Sequence, residues 1–390
     1  MYMCNCCGGS LEKIFDLGMQ PLANKYPYFK RDFETEFSQK LEVYLCSRCG
    51  YCHVPCIADR ALFFENYYYL SSVNKELVDH FTEMADWLEQ DGARFVLDVG
   101  SNDGVLLKPL RDLGIRCIGI DPSRNVGEIA NRNGLETIIG FFDSDIAKKL
   151  IQEKGRPDVI VASSVFTHLS DPGDFFSVCH TLLEEGGRVV IEIEFLNDII
   201  ESLGFERFYF DRPHYYSINS LRYISLRYGF IMTDIERIKT HGGSVRVTFC
   251  RSIDHSRSKG NNFSDTQTLT GERITSRFEE FNQSCLELKH ELKQYKRNGI
   301  RIGAYGCPAR FSTITNFAEI GSDLIPFVVD DSPLKQGRSS PGQHIKILSY
   351  EDSPKVSTYL VFAYEYIDSI RSRVSRSDVM YLRPVPLTKL

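Results

Sequence analysis

The chain has no run approaching the about 18 uninterrupted apolar residues that a membrane helix requires, no low-complexity tract and no excess of positive charge. The first absence predicts a protein without a membrane partner. Met1–Cys7 also lacks a basic segment followed by an apolar run, so no signal peptide is expected, and a cytoplasmic location with reduced thiols is. With 46 Lys and Arg against 52 Asp and Glu, the formal charge of −6 argues against a broad phosphate-binding face, and no nucleic-acid partner is expected. One or two local cations still suffice for a nucleotide-sized ligand. At 390 residues and 42% hydrophobic, the chain is long and apolar enough for two or three domains with cores of their own.

Cysteine is where the composition becomes informative. Five thiols (Cys117, Cys179, Cys250, Cys285 and Cys307) are scattered singly, as small core residues are. The other seven fall within the first 56 residues. Cys4 and Cys7 precede Gly8, and Cys46 and Cys49 precede Gly50, giving two Cys-x2-Cys-Gly knuckles. Four thiolates from two knuckles form the closed tetrahedral set of a structural zinc site, with no position left for substrate. A disulfide framework is the rival that a reducing compartment disfavours. Cys6, Cys52, Cys56 and His53 are nearby spares for any of the four ligands.

Downstream, Leu77, Phe81, Met84, Ala85 and Leu88 recur at helical spacing. The apolar run Phe95–Val99 then reads as a strand buried on both faces, followed by a turn bracketed by Gly100 and Gly104 and a helix over 105–113. The turn lacks the G-x-G-x-x-G of a pyrophosphate cradle and carries Asn102 and Asp103. Asp98 and Asp103 repel a pyrophosphate but suit a sulfonium and an ammonium. A second strand ends at Asp121, about 20 residues on, where a carboxylate meets ribose hydroxyls. These features predict an S-adenosylmethionine site. Phe141 and Phe142 follow a third strand and are placed to flank adenine. Ser163, Ser164 and His168 follow the fourth, at the carboxyl edge where open α/β sheets bind ligands. A fifth strand covers 187–193, and the domain closes near 245–249.

The segment 206–217 concentrates Tyr209, Asp211, His214, Tyr215 and Tyr216. Pro213 argues against a helix there, which predicts a loop over the cleft. A histidine beside carboxylate and phenol is equipment for moving protons near neutral pH. Residues 252–271 read as a polar linker and 274–296 as a helix. Strands over 300–305, 324–329 and 358–362 alternate with helices as a second open α/β layer. Arg310, Lys335 and Arg338 in that half are the cations available to a diphosphate.

The knuckle pair, Gln20–Asn24, Tyr69–Ser72, Asp98–Gly104, His241–Ser244, Gly303–Gly306 and Lys335–Arg338 occur in an order that resembles the nucleotide-sugar C-methyltransferases, which act at C-3 of 4-keto-deoxyhexoses. The resemblance implies a zinc-bearing domain over 1–60, a Rossmann-like S-adenosylmethionine domain over 61–250, and a C-terminal α/β domain over 251–390 that helps hold a TDP- or GDP-linked 4-keto-6-deoxy sugar. It adds Ser71 and Ser72 to the cofactor residues. It gives Asn24, Tyr69, Tyr215, His241, Gly242, Gly243, Ser244, Tyr305, Arg310 and Lys335 to the substrate. The family places Tyr-His-Glu-His before an aromatic segment, its last histidine being the base that generates an enolate. Here Tyr209 takes the tyrosine, Asp211 the glutamate, and His214 reaches the base position with two residues inserted. Two other readings use the same residues: an O- or N-methyltransferase, and a zinc- and cofactor-binding module without chemistry.

Overall fold

In the computed structural model, which describes residues 2–59, 61–64, 67–240, 243–252 and 269–390, alternation sets the first sheet. In β1 (Glu12–Pro21) Phe15 and Leu17 are buried, and in β2 (Ser38–Leu45) Leu41, Val43 and Leu45 are. The two strands pair antiparallel, and β3 (Cys52–His53) extends the sheet. Its fourth strand arrives from far along the chain, as β9 (His214–Tyr215).

The central sheet follows from apolar runs rather than alternation. Every residue of β4 (Phe95–Val99) is buried, as a parallel strand covered on both faces must be. Around it lie β5 (Arg116–Asp121), β6 (Thr137–Ile139), β7 (Val159–Ser163) and β8 (Arg188–Glu194), all parallel. An antiparallel pair, β10 (Phe230–Ile238) and β11 (Ser244–Arg251), completes the order β10-β11-β8-β7-β4-β5-β6. The predicted first helix is Lys75–Gln90, and it buries the five residues named from its periodicity. Asn74 caps it by accepting from the Glu76 and Leu77 amides, worth about 1 kcal/mol.

The C-terminal layer is again open and mostly parallel. It contains β12 (Ile302–Tyr305), β13 (Phe327–Val329), β14 (Lys346–Leu348), β15 (Thr358–Val361), β16 (Met380–Arg383) and β17 (Thr388–Lys389), in the order β14-β13-β12-β15-β16-β17. Most of the expected linker, residues 253–268, lies outside the described residues. The helix beyond it runs Gly271–Arg297.

The two sheets repeat one clasp. After β4, the Gly100 amide donates to Ile120 O at 2.7 Å, and Asp121 accepts from the Asn102 and Ser123 amides at 2.9 and 2.8 Å. After β12, the Gly306 amide donates to Val329 O at 2.7 Å, and Asp330 accepts from the Cys307 and Ser332 amides at 2.8 and 2.9 Å. Among the described residues only the second carboxylate also meets a cation, Lys335, at 3.3 Å.

The cores cross the domain limits. Phe15, Leu17 and Val43 of the first sheet share one apolar cluster with Phe281, Phe311 and Ile347. Cys4, Cys46 and Tyr51 share another with one face of the central sheet, whose opposite face is covered by Leu77, Met84 and Leu88. The first domain is therefore a wedge between the other two. The segment expected as a surface loop over the cleft is irregular as Pro213 demands, yet residues 204–218 are all buried, because β9 draws it against β3. Among the described residues no helix is long and apolar enough to cross a membrane.

Candidate active site and zinc centre

The knuckles superpose their chemistry as the spacing requires. Gly8 and Gly50 share a φ of +73°, and their amides donate to Cys4 O and Cys46 O at 2.9 and 2.8 Å. That left-handed turn costs glycine little and other residues more. It brings the four Sγ atoms within 4.8 Å of one another, with Cys4–Cys49 and Cys7–Cys46 each at 3.5 Å. Zn–S bonds of about 2.3 Å in a tetrahedron need sulfurs about 3.8 Å apart, so the donor set fits, and the distances exclude a disulfide. Cys4, Cys7, Cys46 and Cys49 form the structural zinc site. The spare candidates stand outside it: Cys52 is in β3, and His53 Nδ1 meets Pro213 O at 3.0 Å.

A cavity of about 670 Å³ opens at the carboxyl edge of the central sheet and takes its walls from all three domains. Ser71, Asp98, Gly100, Asn102, Asp121, Phe142, Ser163, Ser164 and His168, the residues expected at the cofactor, line this one cavity. Asn102 and Ser164 hold left-handed backbone, at φ +49° and +58°, a strain that persists where a site needs it. A Cβ on Gly100 comes within 2.7 Å of the Val165 side chain, so the turn admits glycine alone. Ser163 donates to Glu192 at 2.6 Å, and the same carboxylate holds His80 and Arg246. Two expected residues are turned elsewhere: Asp103 accepts from Ser72, so together they tie the strap 67–73 to the turn instead of facing the cavity. Asn102 reinforces that tie, accepting from the Ser71 amide at 3.0 Å and donating to Tyr69 O at 3.2 Å.

Burial pushes the Asp98 carboxyl up to about 7, with Asp121 and Glu192 adding to the shift. A buried carboxylate whose charged neighbours are further carboxylates fits a cationic ligand and opposes a phosphate. The sign of the pH dependence follows. Asp98 is ionised above about pH 7 and protonated below it, whereas a sulfonium and ammonium favour the ionised form. S-adenosylmethionine affinity is therefore expected to be full above about pH 7 and to fall below it, approaching about tenfold per unit. Calorimetric titration from about pH 5.5 to 8 tests this, and Asp98→Asn should flatten the profile; a flat wild-type curve rules the linkage out.

The opposite wall is built of charges. Arg212 pairs with Glu194, Glu194 with Arg207 at 3.1 Å, Arg207 with Glu365 at 3.4 Å, and Glu365 with Arg310 at 2.7 Å. All five line the cavity and join the central domain to the C-terminal one. Removing one member of such a buried network costs about 3–5 kcal/mol by stranding its partner. His168 sits beside it. Its Nδ1 donates to the Asp211 carbonyl at 2.6 Å, which makes Nε2 the acceptor nitrogen, and Nε2 accepts from Arg212 Nε at 3.4 Å. Burial raises the Tyr209 phenol well above its ordinary value, keeping it a neutral donor at the cavity wall.

Of the remaining expected residues, Asn24, Tyr69, Arg310 and Lys335 line the cavity, and Asn24 also donates to Asp211 Oδ2 at 2.8 Å. His214 does not reach it. It is 1% exposed in β9 opposite His53, with Nδ1 on Tyr51 OH and Nε2 on Leu169 O at 2.9 Å. Strand pairing turns it toward the knuckle and leaves Arg212, two residues earlier, at the cavity. Tyr215 OH donates to Arg207 O, and Tyr305 OH to Asp331, so neither phenol lines the site. Asp211 contributes its carbonyl to His168 rather than a carboxylate to the cavity. Ser244 begins β11 and Gly243 precedes it, both outside the lining; His241 and Gly242 lie outside the described residues. Arg207, Arg212, Glu194 and Glu365 were missed, although Arg207 and Arg212 stand in the very segment singled out for its aromatics.

The fold and the cofactor half of this cavity define an S-adenosylmethionine-dependent methyltransferase. Family profiles match three consecutive segments: a zinc binding domain at 4–64, a methyltransferase domain at 69–235, and a C-methyltransferase C-terminal domain at 239–386. Part by part, the chain is similar to C-methyltransferases that carry a zinc binding domain ahead of the methyltransferase domain. It is 25% identical over 381 residues to the C-methyltransferase NovU of Streptomyces niveus, covering 94% of this chain and 90% of that one. A ubiquinone biosynthesis O-methyltransferase of Caulobacter sp. (strain K31) is 32% identical over 100 residues, 25% of this chain and 39% of its own length. Among solved structures, magnesium protoporphyrin IX methyltransferase of Synechocystis PCC 6803 with bound SAH covers 47% of this chain and 91% of its own, at 18% identity and a TM-score of 0.37.

Proposed function

We propose that the chain methylates C-3 of a nucleotide-linked 4-keto-6-deoxy sugar through an enolate generated in the cavity. The observation that carries this reading is one imidazole of fixed tautomer, His168, set among donors that can stabilise a developing oxyanion. S-adenosylmethionine, when bound by the Asp98, Asn102 and Asp121 side of the cavity, supplies an electrophilic methyl group. A carbonyl at C-4 acidifies the neighbouring hydrogen, and His168 Nε2 takes that proton once the carbonyl oxygen has drawn the Arg212 guanidinium away from it. The electron pair left behind delocalises onto the carbonyl oxygen, where Tyr209 and Arg212 donate hydrogen bonds. Asp211 acts through its backbone as a positioning residue for His168. Arg310 and Lys335 face the diphosphate.

The register of the family motif supports the same assignment. Aligned without insertion, Tyr209 and Asp211 keep their places and Arg212 takes that of the last histidine, so the base must come from another element. The short helix Phe166–His168 after β7 supplies it. Labelled cofactor with a panel of TDP-, GDP- and CDP-linked 4-keto-6-deoxy sugars should give a new methyl on carbon by NMR. Solvent deuterium should enter C-3 without methyl transfer when cofactor is withheld. A methyl found on oxygen rejects the proposal.

A further inference from the structure

The order of strands in the central sheet sets the order in which a ligand along its carboxyl edge meets them. Phe142 follows β6, Asp121 ends β5, and the Gly100 turn follows β4. A cofactor with adenine at Phe142 and ribose at Asp121 therefore carries its amino-acid end over β4 and the next strand, β7, strands lying about 4.8 Å apart. Asp98 of β4 and Ser163 of β7 line the cavity there. The helix Lys75–Gln90 adds Leu77, His80 and Phe81 to the lining, and His80 is the polar one of the three.

His80 stands in front of a buried network. Its Nε2 lies 2.9 Å from Glu192 Oε2, and Glu192 pairs with Ser163 across β7 and β8. The same carboxylate accepts from Ser163 Oγ at 2.6 Å and from Arg246 Nε at 2.8 Å. Burial alone would raise the Glu192 carboxyl, but His80, Arg246 and Ser163 outweigh it and hold it below its ordinary range. An ionised carboxylate only accepts, so Nε2 carries the proton, and in the neutral ring Nδ1 presents a lone pair. Among the described residues no donor meets Nδ1. Glu192 and Arg246 do not line the cavity themselves, so this network reaches a ligand through His80 and Ser163.

The charge around the ring selects what Nδ1 accepts from. Glu192 lies behind it, close enough to Asp98 to help raise that carboxyl, and the Arg246 guanidinium is shared with Glu236 at 3.2 Å. Carboxylates so placed oppose a ligand carboxylate and favour an ammonium. We infer, resting on the cofactor placement given above, that His80 Nδ1 accepts from the α-ammonium of S-adenosylmethionine, with Glu192 as the positioning residue that fixes the tautomer. The amino-acid end of the cofactor is then recognised by a side chain from outside the strand-and-turn motif that holds the nucleoside.

The full chain loaded with zinc is titrated by calorimetry with S-adenosylhomocysteine, its deaminated analogue, its decarboxylated analogue, and 5′-methylthioadenosine, which lacks the amino-acid end. His80→Leu should weaken the homocysteine and decarboxylated ligands about tenfold each, and leave the other two within about twofold of wild type. His80→Gln, which keeps an amide oxygen, should recover part of the loss. Wild-type protein carrying ¹⁵N-histidine gives a reading that needs no variant to fold. The His80 ring should show the Nε2–H tautomer, and its Nδ1 signal should shift with S-adenosylhomocysteine and not with the deaminated analogue. Glu192→Gln should mix the tautomers. An Nδ1–H tautomer in wild type, or equal weakening of S-adenosylhomocysteine and its deaminated analogue by His80→Leu, overturns the contact while the cofactor placement stands. If none of the adenosyl ligands binds wild-type protein, that placement falls with it.

Discussion

His168→Asn is expected to lower kcat by about 10²–10⁴-fold, the range for removing a general base, while leaving cofactor affinity within a few-fold of wild type. Asparagine places an amide N–H near where Nδ1 stood, so the bond to the Asp211 carbonyl can persist and the loop keeps its place. What is lost is Nε2, the nitrogen that accepts from Arg212 at the cavity wall. Deuterium exchange at C-3 of the acceptor should be lost in step with methyl transfer, because both need the same proton removed. His214 provides the contrast. Its ring joins Tyr51 to Leu169 inside the protein, so His214→Asn should lower the melting temperature while the exchange reaction persists in the folded fraction. A His168→Asn protein with wild-type turnover, or a folded His214→Asn protein without exchange, would falsify the assignment of the base.

Removing zinc should have the largest effect on the whole molecule. Structural zinc contributes about 10–16 kcal/mol of apparent binding free energy in small domains, comparable to the roughly 5–15 kcal/mol that stabilises an entire protein. Here the metal also bears on the reaction. From the second knuckle the chain enters β3, which pairs Cys52 with Tyr215 and His53 with His214. The Val54 amide donates to Pro213 O at 2.9 Å, and Ser217 Oγ donates to Cys49 O. Arg212 immediately precedes the segment those bonds secure. Chelation, or Cys46→Ser with Cys49→Ser, should lower the melting temperature on the order of 10 °C or more and abolish methyl transfer. Amides of residues 209–217 should exchange faster before the central sheet opens. Chelated protein that keeps its melting temperature and its activity would show the metal to be dispensable.

That the cofactor candidates gather in one cavity was legible because their placement is local. Asp98, Gly100 and Asn102 sit on one strand and its turn, and Asp121 on the next strand, so their spacing reports their geometry. The zinc site was legible for the same reason, each pair of thiols being set by one knuckle. The acceptor half was not, since its walls come from segments that meet only on folding. Glu194 ends β8, Arg207 and Arg212 lie on the irregular stretch after it, and Glu365 and Arg310 come from the C-terminal layer, far along the chain. Nothing in spacing shows that these charges alternate along one wall. His214 misled for a complementary reason. A histidine amid tyrosines in a proline-broken segment looks exposed, and only the pairing of β9 with β3 shows that it faces inward. Asp103 was read for its charge, whereas its partners on Ser72 decide where it points.

The two clasps differ in one amine, and that difference has a kinetic meaning. Lys335 is tethered five residues from Asp330, so it competes for that carboxylate at the effective concentration of a short loop, in the millimolar range for short flexible links. A free nucleotide that sought the second turn through its ribose would have to displace a group that is never diluted. Among the described residues Asp121 has no such resident. Of two turns with the same backbone, one keeps its carboxylate clear of a tethered cation, and the other is answered from within the chain.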